Sequence, residues 1–128
     1  MTVRKTLLLV EDETDLVNIA RMSLESDFDI FSAKRWPDAE QLLERIQPDL
    51  CVLDMSPCVR QEFDRITEML KTRGIPFLIH TGDDGIELSG GAVAIVRKPH
   101  LLSVPLLRTI EESDDPLVIT ARARKQKV

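Results

Sequence analysis

Thr6-Leu7-Leu8-Leu9-Val10-Glu11-Asp12-Glu13 is the stretch whose reading decides the fold. A short apolar run stops abruptly at three consecutive acids. Runs of this length, bounded by polar residues, are the length of a buried strand. Just beyond it, Leu16, Ile19, Ala20 and Leu24 recur at helical spacing, the pattern of one buried helix face. A strand feeding directly into an amphipathic helix is the first half of a βαβ unit.

The unit repeats along the chain. Further apolar runs occupy Phe28–Ala33, Leu50–Leu53, Pro76–Ile79 and Ala92–Val96. Helical stripes alternate with them, first Ala39, Leu42, Leu43 and Ile46, then Val59, Phe63, Ile66 and Leu70. A shorter stripe, Leu106, Leu107 and Ile110, follows Ser103 as N-cap and Pro105 in the first turn. Five strands and about five helices in alternation predict an α/β fold with a doubly wound parallel sheet. The expected strand order is the flavodoxin-like 2-1-3-4-5. One unit departs from the pattern. Gly82, Gly85, Gly90 and Gly91 fall between the fourth and fifth runs, and each glycine inside a helix costs about 1 kcal/mol relative to alanine. The fourth helix is therefore expected to be short or absent.

Composition narrows the function. A chain of 128 residues is one domain, large enough to fold without disulfides or a structural metal. The expected organisation is a domain over residues 1–112 and a short tail over 113–128, with no output domain. The net charge of −5 argues against nucleic-acid binding by the domain as a whole. The last eight residues hold Arg122, Arg124, Lys125 and Lys127 without an acid, which reads first as a solvated end. Cys51 and Cys58 lack a zinc spacing and read as reduced thiols. No segment has the length of a signal-peptide core or a membrane span, so a cytoplasmic location is expected.

In a doubly wound sheet the reactive site lies beyond the carboxyl ends of the strands. The residues there are Glu11, Asp12 and Glu13 after the first run, Asp54 after the third, Thr81 and Gly82 after the fourth, and Lys98 after the fifth. Clustered carboxylates repel one another, and a divalent cation offsets that repulsion. Mg²⁺ suits such a set, since it takes hard oxygen ligands and keeps several waters. A remaining carboxylate, Asp54, is then a candidate nucleophile toward phosphorus. Lys98 and Thr81 are placed to hold the transferred oxygens, in a reaction that needs mostly positioning and charge neutralisation.

Four segments carry a family resemblance: Leu8-Leu9-Val10-Glu11-Asp12-Glu13, Pro48-Asp49-Leu50-Cys51-Val52-Leu53-Asp54, Thr81-Gly82 and Arg97-Lys98-Pro99. In this order, each at the end of an apolar run, they resemble the receiver domain of two-component response regulators, over residues from about 4 to 112. The resemblance implies that Asp54 is the phosphoacceptor and that Glu11 and Asp12 bind Mg²⁺ with Asp54 and the main-chain carbonyl of Ser56. It also implies that the Thr81 hydroxyl and Lys98 contact the phosphoryl group, that Gly82 leaves it room, and that Pro99 follows Lys98 through a cis bond. Glu13 is implied as a supporting acid. The implied function is a single-domain response regulator that takes a phosphoryl group from a sensor histidine kinase or phosphotransfer protein.

The sequence also departs from the family. Ile95, three residues before the lysine, stands where most receivers have an aromatic, and the chain has no tyrosine. Pro76-Phe77-Leu78-Ile79-His80-Thr81-Gly82 is similar to the PFxFATGY segment of a single-domain receiver subfamily, with Ile79, His80 and Asp83 replacing Phe, Ala and Tyr. These departures keep an alternative open, a receiver-like interaction module that is never phosphorylated. A dehalogenase-type phosphatase would need an acid where Ser56 stands. Among the other polar residues, His80 reads as a packed strand residue with its side chain opposite Thr81. Cys51 and Trp36 read as core.

Overall fold

The computed structural model describes residues 5–55, 57–82, 92–98, 102–103, 107 and 118–120. Strands β1 (Lys5–Val10), β2 (Phe28–Ala33), β3 (Leu50–Asp54), β4 (Phe77–Thr81) and β5 (Ala94–Arg97) form a parallel sheet in the order 2-1-3-4-5. This is the doubly wound order expected from the alternating pattern. Each of the five apolar runs became a strand. β3 and β4 extend past the apolar residues to include Asp54 and Thr81, because the ladder continues: Asp54 pairs with His80, and Thr81 with Arg97.

Strand alternation divides the core into two layers. Leu8, Val10, Leu53, Ile79 and Ile95 face one side, where they meet Trp36, Ala39 and Leu43 of helix α2 (Trp36–Leu43). Ile66 and Leu70 of helix α4 (Phe63–Thr72) join the same layer. Leu7, Leu9, Val52, Leu78, Ala94 and Val96 face the other side. They pack under Ala20 and Leu24 of helix α1 (Thr14–Leu24) and against Leu102 and Leu107. Burial on both faces explains why the strands read as continuous apolar runs.

Two elements differ from the sequence pattern. The third helical stripe spans a break: helix α3 (Pro57–Gln61) ends and α4 begins around Glu62, whose backbone leaves the helical region at φ −113° and ψ 16°. Val59, Ile66 and Leu70 still reach one core layer on either side of it, so the stripe predicted burial correctly and continuity incorrectly. The second difference is an added strand. Val118–Thr120 forms β6, antiparallel to β5, with Ile119 opposite Ile95. Part of the segment taken as a tail therefore extends the sheet to six strands.

The glycine-rich segment where a short fourth helix was expected lies almost wholly outside the described residues, as do Pro99, the basic end and most of the stripe after Ser103. The Leu107 N–H does donate to the Ser103 carbonyl at 3.0 Å, the bond that an N-cap at Ser103 would make in its first turn. Cys51 is fully buried, and burial pushes its thiol up, so it is an inert core residue. Trp36 is also fully buried. Among the described residues, no helix is long and apolar enough to cross a membrane.

Candidate functional site

The site is built where β1 and β3, adjacent in the sheet, send their following chains to opposite sides. This is the topological switch point of the 2-1-3-4-5 order, where ligands bind in open α/β sheets. β1 ends at Val10, and the Glu11 N–H continues the ladder by donating to the Ala33 carbonyl of β2 at 2.9 Å. Glu11 is thereby locked at the edge of the sheet with only 4% of its surface exposed. The register sets Val10 beside Leu53, so Asp54 emerges next to Glu11.

Glu11, Asp12 and Asp54 each offer a carboxylate oxygen, and these three atoms lie within 4.8 Å of one another. They form a cluster that could hold a metal ion. Lys98, just past β5, closes the cluster from across the sheet. Its Nζ donates to Asp54 Oδ1 at 2.9 Å and stands 3.5 Å from Glu11 Oε1. Lys98 is held in turn through its backbone, whose N–H donates to the Thr81 carbonyl at 2.7 Å. The Glu13 N–H reaches back to Glu11 Oε2 at 3.4 Å, so Glu13 supports the site through its main chain.

The electrostatics follow from this packing. Burial pushes the Glu11 carboxyl up to about 7, and the charge of Asp54 adds to the rise, while Lys98 and the Glu13 N–H oppose it. Burial alone would lower Lys98, but its hydrogen bond and charge contact with Asp54, joined by Glu11, raise it above the ordinary lysine range. The ammonium therefore stays charged between two carboxylates. Hard oxygen donors clustered around one fixed cation suit a divalent metal and a phosphoryl group together.

The other sequence candidates divide. Thr81 ends β4 and is buried at 3% exposure. Alternation sets its side chain on the face of Phe77 and Ile79, and its carbonyl accepts from the Lys98 backbone N–H. Gly82 faces Lys98: a Cβ there would meet the Lys98 Cβ at 3.9 Å, an ordinary contact, so neither its backbone conformation nor crowding by the described residues demands glycine. Ser56 lies outside the described residues. The sequence reading left one buried polar residue out of the site. His80 is next to Asp54 in the β3–β4 register and only 8% exposed; a histidine in an otherwise apolar strand end was the available signal.

Comparison with known structures agrees with this fold. A response regulator receiver domain from Methylobacillus flagellatus superposes with a TM-score of 0.70 at 17% identity, over 85% of this chain and 100% of that one. The fold is that of a receiver domain. A response regulator from Thermotoga maritima matches at a TM-score of 0.68 and 19% identity, covering 84% of this chain and 95% of that chain. A signal receiver domain from Vibrio parahaemolyticus matches at 0.68 and 25% identity, covering 84% and 86%. No protein-family model and no curated protein matches the sequence. The receiver fold is thus shared at low identity, while the similarity to the PFxFATGY subfamily finds no separate support among these neighbours.

Proposed function

We propose that this receiver-fold chain is a response regulator that accepts a phosphoryl group onto Asp54, with Mg²⁺, from a histidine kinase or phosphotransfer protein in the cytoplasm. The observation that supports it most is the convergence of Glu11, Asp12, Asp54 and Lys98 at the switch point of the sheet. An Asp54 oxygen attacks phosphorus, the bond from phosphorus to the donor nitrogen breaks, and its electron pair leaves with the imidazole. The product is an acyl phosphate on Asp54, and attack by water on phosphorus restores the carboxylate. Lys98 follows the charge from the Asp54 oxygen to the transferred oxygens. The family resemblance assigns one of those oxygens to the Thr81 hydroxyl, at the carboxyl end of β4, and room for them to Gly82. Glu11, Asp12, Asp54 and the Ser56 carbonyl would hold Mg²⁺, which supplies charge neutralisation on the transferring group when bound.

A second reading, an interaction module that is never phosphorylated, is favoured by Ile95. It is fully buried and aliphatic, so a rotating aromatic is not available as the switch at that position. Intact mass after incubation with acetyl phosphate and Mg²⁺ separates the two. The first reading expects a gain of one phosphoryl group that requires Mg²⁺ and is absent in Asp54→Ala. No gain from acetyl phosphate or from any phosphorylated kinase would leave the second.

A further inference from the structure

We infer that His80 is a positioning residue for Glu11, acting through a cavity that the two side chains share beneath α1. The inference rests on the proposed Mg²⁺ site and deepens it. Three adjacent strands set Glu11, Asp54 and His80 in one row: Val10 pairs with Leu53, which brings Glu11 level with Asp54, and Asp54 pairs with His80. Neighbouring strands lie about 4.8 Å apart. Alternation puts all three side chains on the same face, since Leu9, Val52 and Leu78 two residues earlier all belong to the layer under α1.

The two flanking residues of the row are deeply buried, Glu11 at 4% and His80 at 8% exposure. Both line a small half-open cavity with room for about one water, otherwise walled by Leu9, by Leu16, Ile19 and Ala20 of α1, and by Leu102. Among the described residues that line it, Glu11 and His80 are the only polar ones. A water in this space would have two polar side chains in the wall around it, the minimum that a stable internal water needs.

The link has a function. An ionised carboxylate withdrawn from solvent needs a hydrogen-bond donor in place of water. Lys98 approaches Glu11 Oε1 and the Glu13 N–H donates to Glu11 Oε2. At the cavity, an imidazole with its protonated ring nitrogen turned inward can supply an N–H to a bridging water. Holding a ligating carboxylate in this way fixes its orientation toward the metal, and losing such an outer partner typically weakens metal affinity about 10–100-fold. His80 does not join the carboxylates that could hold the ion, so its effect is exerted through Glu11.

Amide NMR titration of the full chain with Mg²⁺, at one fixed pH above neutrality, tests this. His80→Leu is expected to weaken Mg²⁺ binding about tenfold or more. His80→Gln, which restores an N–H donor, is expected to recover most of the affinity. In the wild type, the His80 ring resonances should move as Mg²⁺ saturates, and they should stay still in Glu11→Gln. A folded His80→Leu variant with wild-type affinity overturns the positioning role while leaving the proposed Mg²⁺ site intact. If His80→Leu does not fold, the ring resonances decide: no movement with Mg²⁺ overturns the inference. A wild type that binds no Mg²⁺ overturns both.

Discussion

Glu11 is a carboxylate whose environment raises its proton affinity, and stability should record it. The unfolded chain releases the proton near the ordinary value of 4.5, while the folded chain holds it to about 7. Between those values the folded state binds more protons, so in the absence of metal stability should fall as pH rises through this window and level off above it. The loss is up to about 3 kcal/mol, and thermal unfolding of wild type against Glu11→Gln, whose profile should be flatter, checks it. Lys98→Ala removes the only ammonium seen between Glu11 and Asp54 in the described site. It should cost about 1–3 kcal/mol in urea unfolding and push Glu11 higher still. A variant as stable as wild type would show that the ion pairs contribute nothing. Glu11, Asp54 and Lys98 were legible in the sequence because each ends or follows an apolar run. His80 was not, because sequence alternation shows that it opposes Thr81 but not that its face also carries Glu11 and Asp54; the strand register supplies that.

At the scale of elements, the five parallel strands were legible because burial on both faces leaves an uninterrupted apolar signal. The break at Glu62 was not, because the apolar stripe from Val59 to Leu70 keeps its spacing across it. The core residues on either side of the break should both be costly to truncate, in proportion to the buried carbons removed. Ile66→Ala, fully buried against the α2 layer, should cost about 2–5 kcal/mol, measured by urea unfolding. Gly82→Ala tests an element boundary instead. Among the described residues its added methyl would meet only the Lys98 Cβ, at 3.9 Å, so the variant should unfold like wild type. Loss of phosphoryl uptake with unchanged stability would locate the demand for glycine in the phosphoryl group rather than in the fold.

Across the whole molecule, β6 is the feature that no pattern announced. Three residues are too few to carry a period, and Val118–Thr120 becomes a strand only because the β5 edge is there to pair with. Deleting residues 118–128 should uncover that edge, lowering stability by about 1–3 kcal/mol or promoting association, read by urea unfolding and size-exclusion chromatography. No change in either would mean that β6 adds nothing to the folded state. For the larger arrangement, a receiver fold with its carboxylates at the switch point, we propose one central chemical property: an aspartate that forms an acyl phosphate. Borohydride reduction converts such a phosphoaspartate to homoserine, and peptide mass mapping then locates it. After treatment with acetyl phosphate and Mg²⁺, the account predicts homoserine at position 54 and nowhere else. An unmodified Asp54, or modification at another residue, would contradict it.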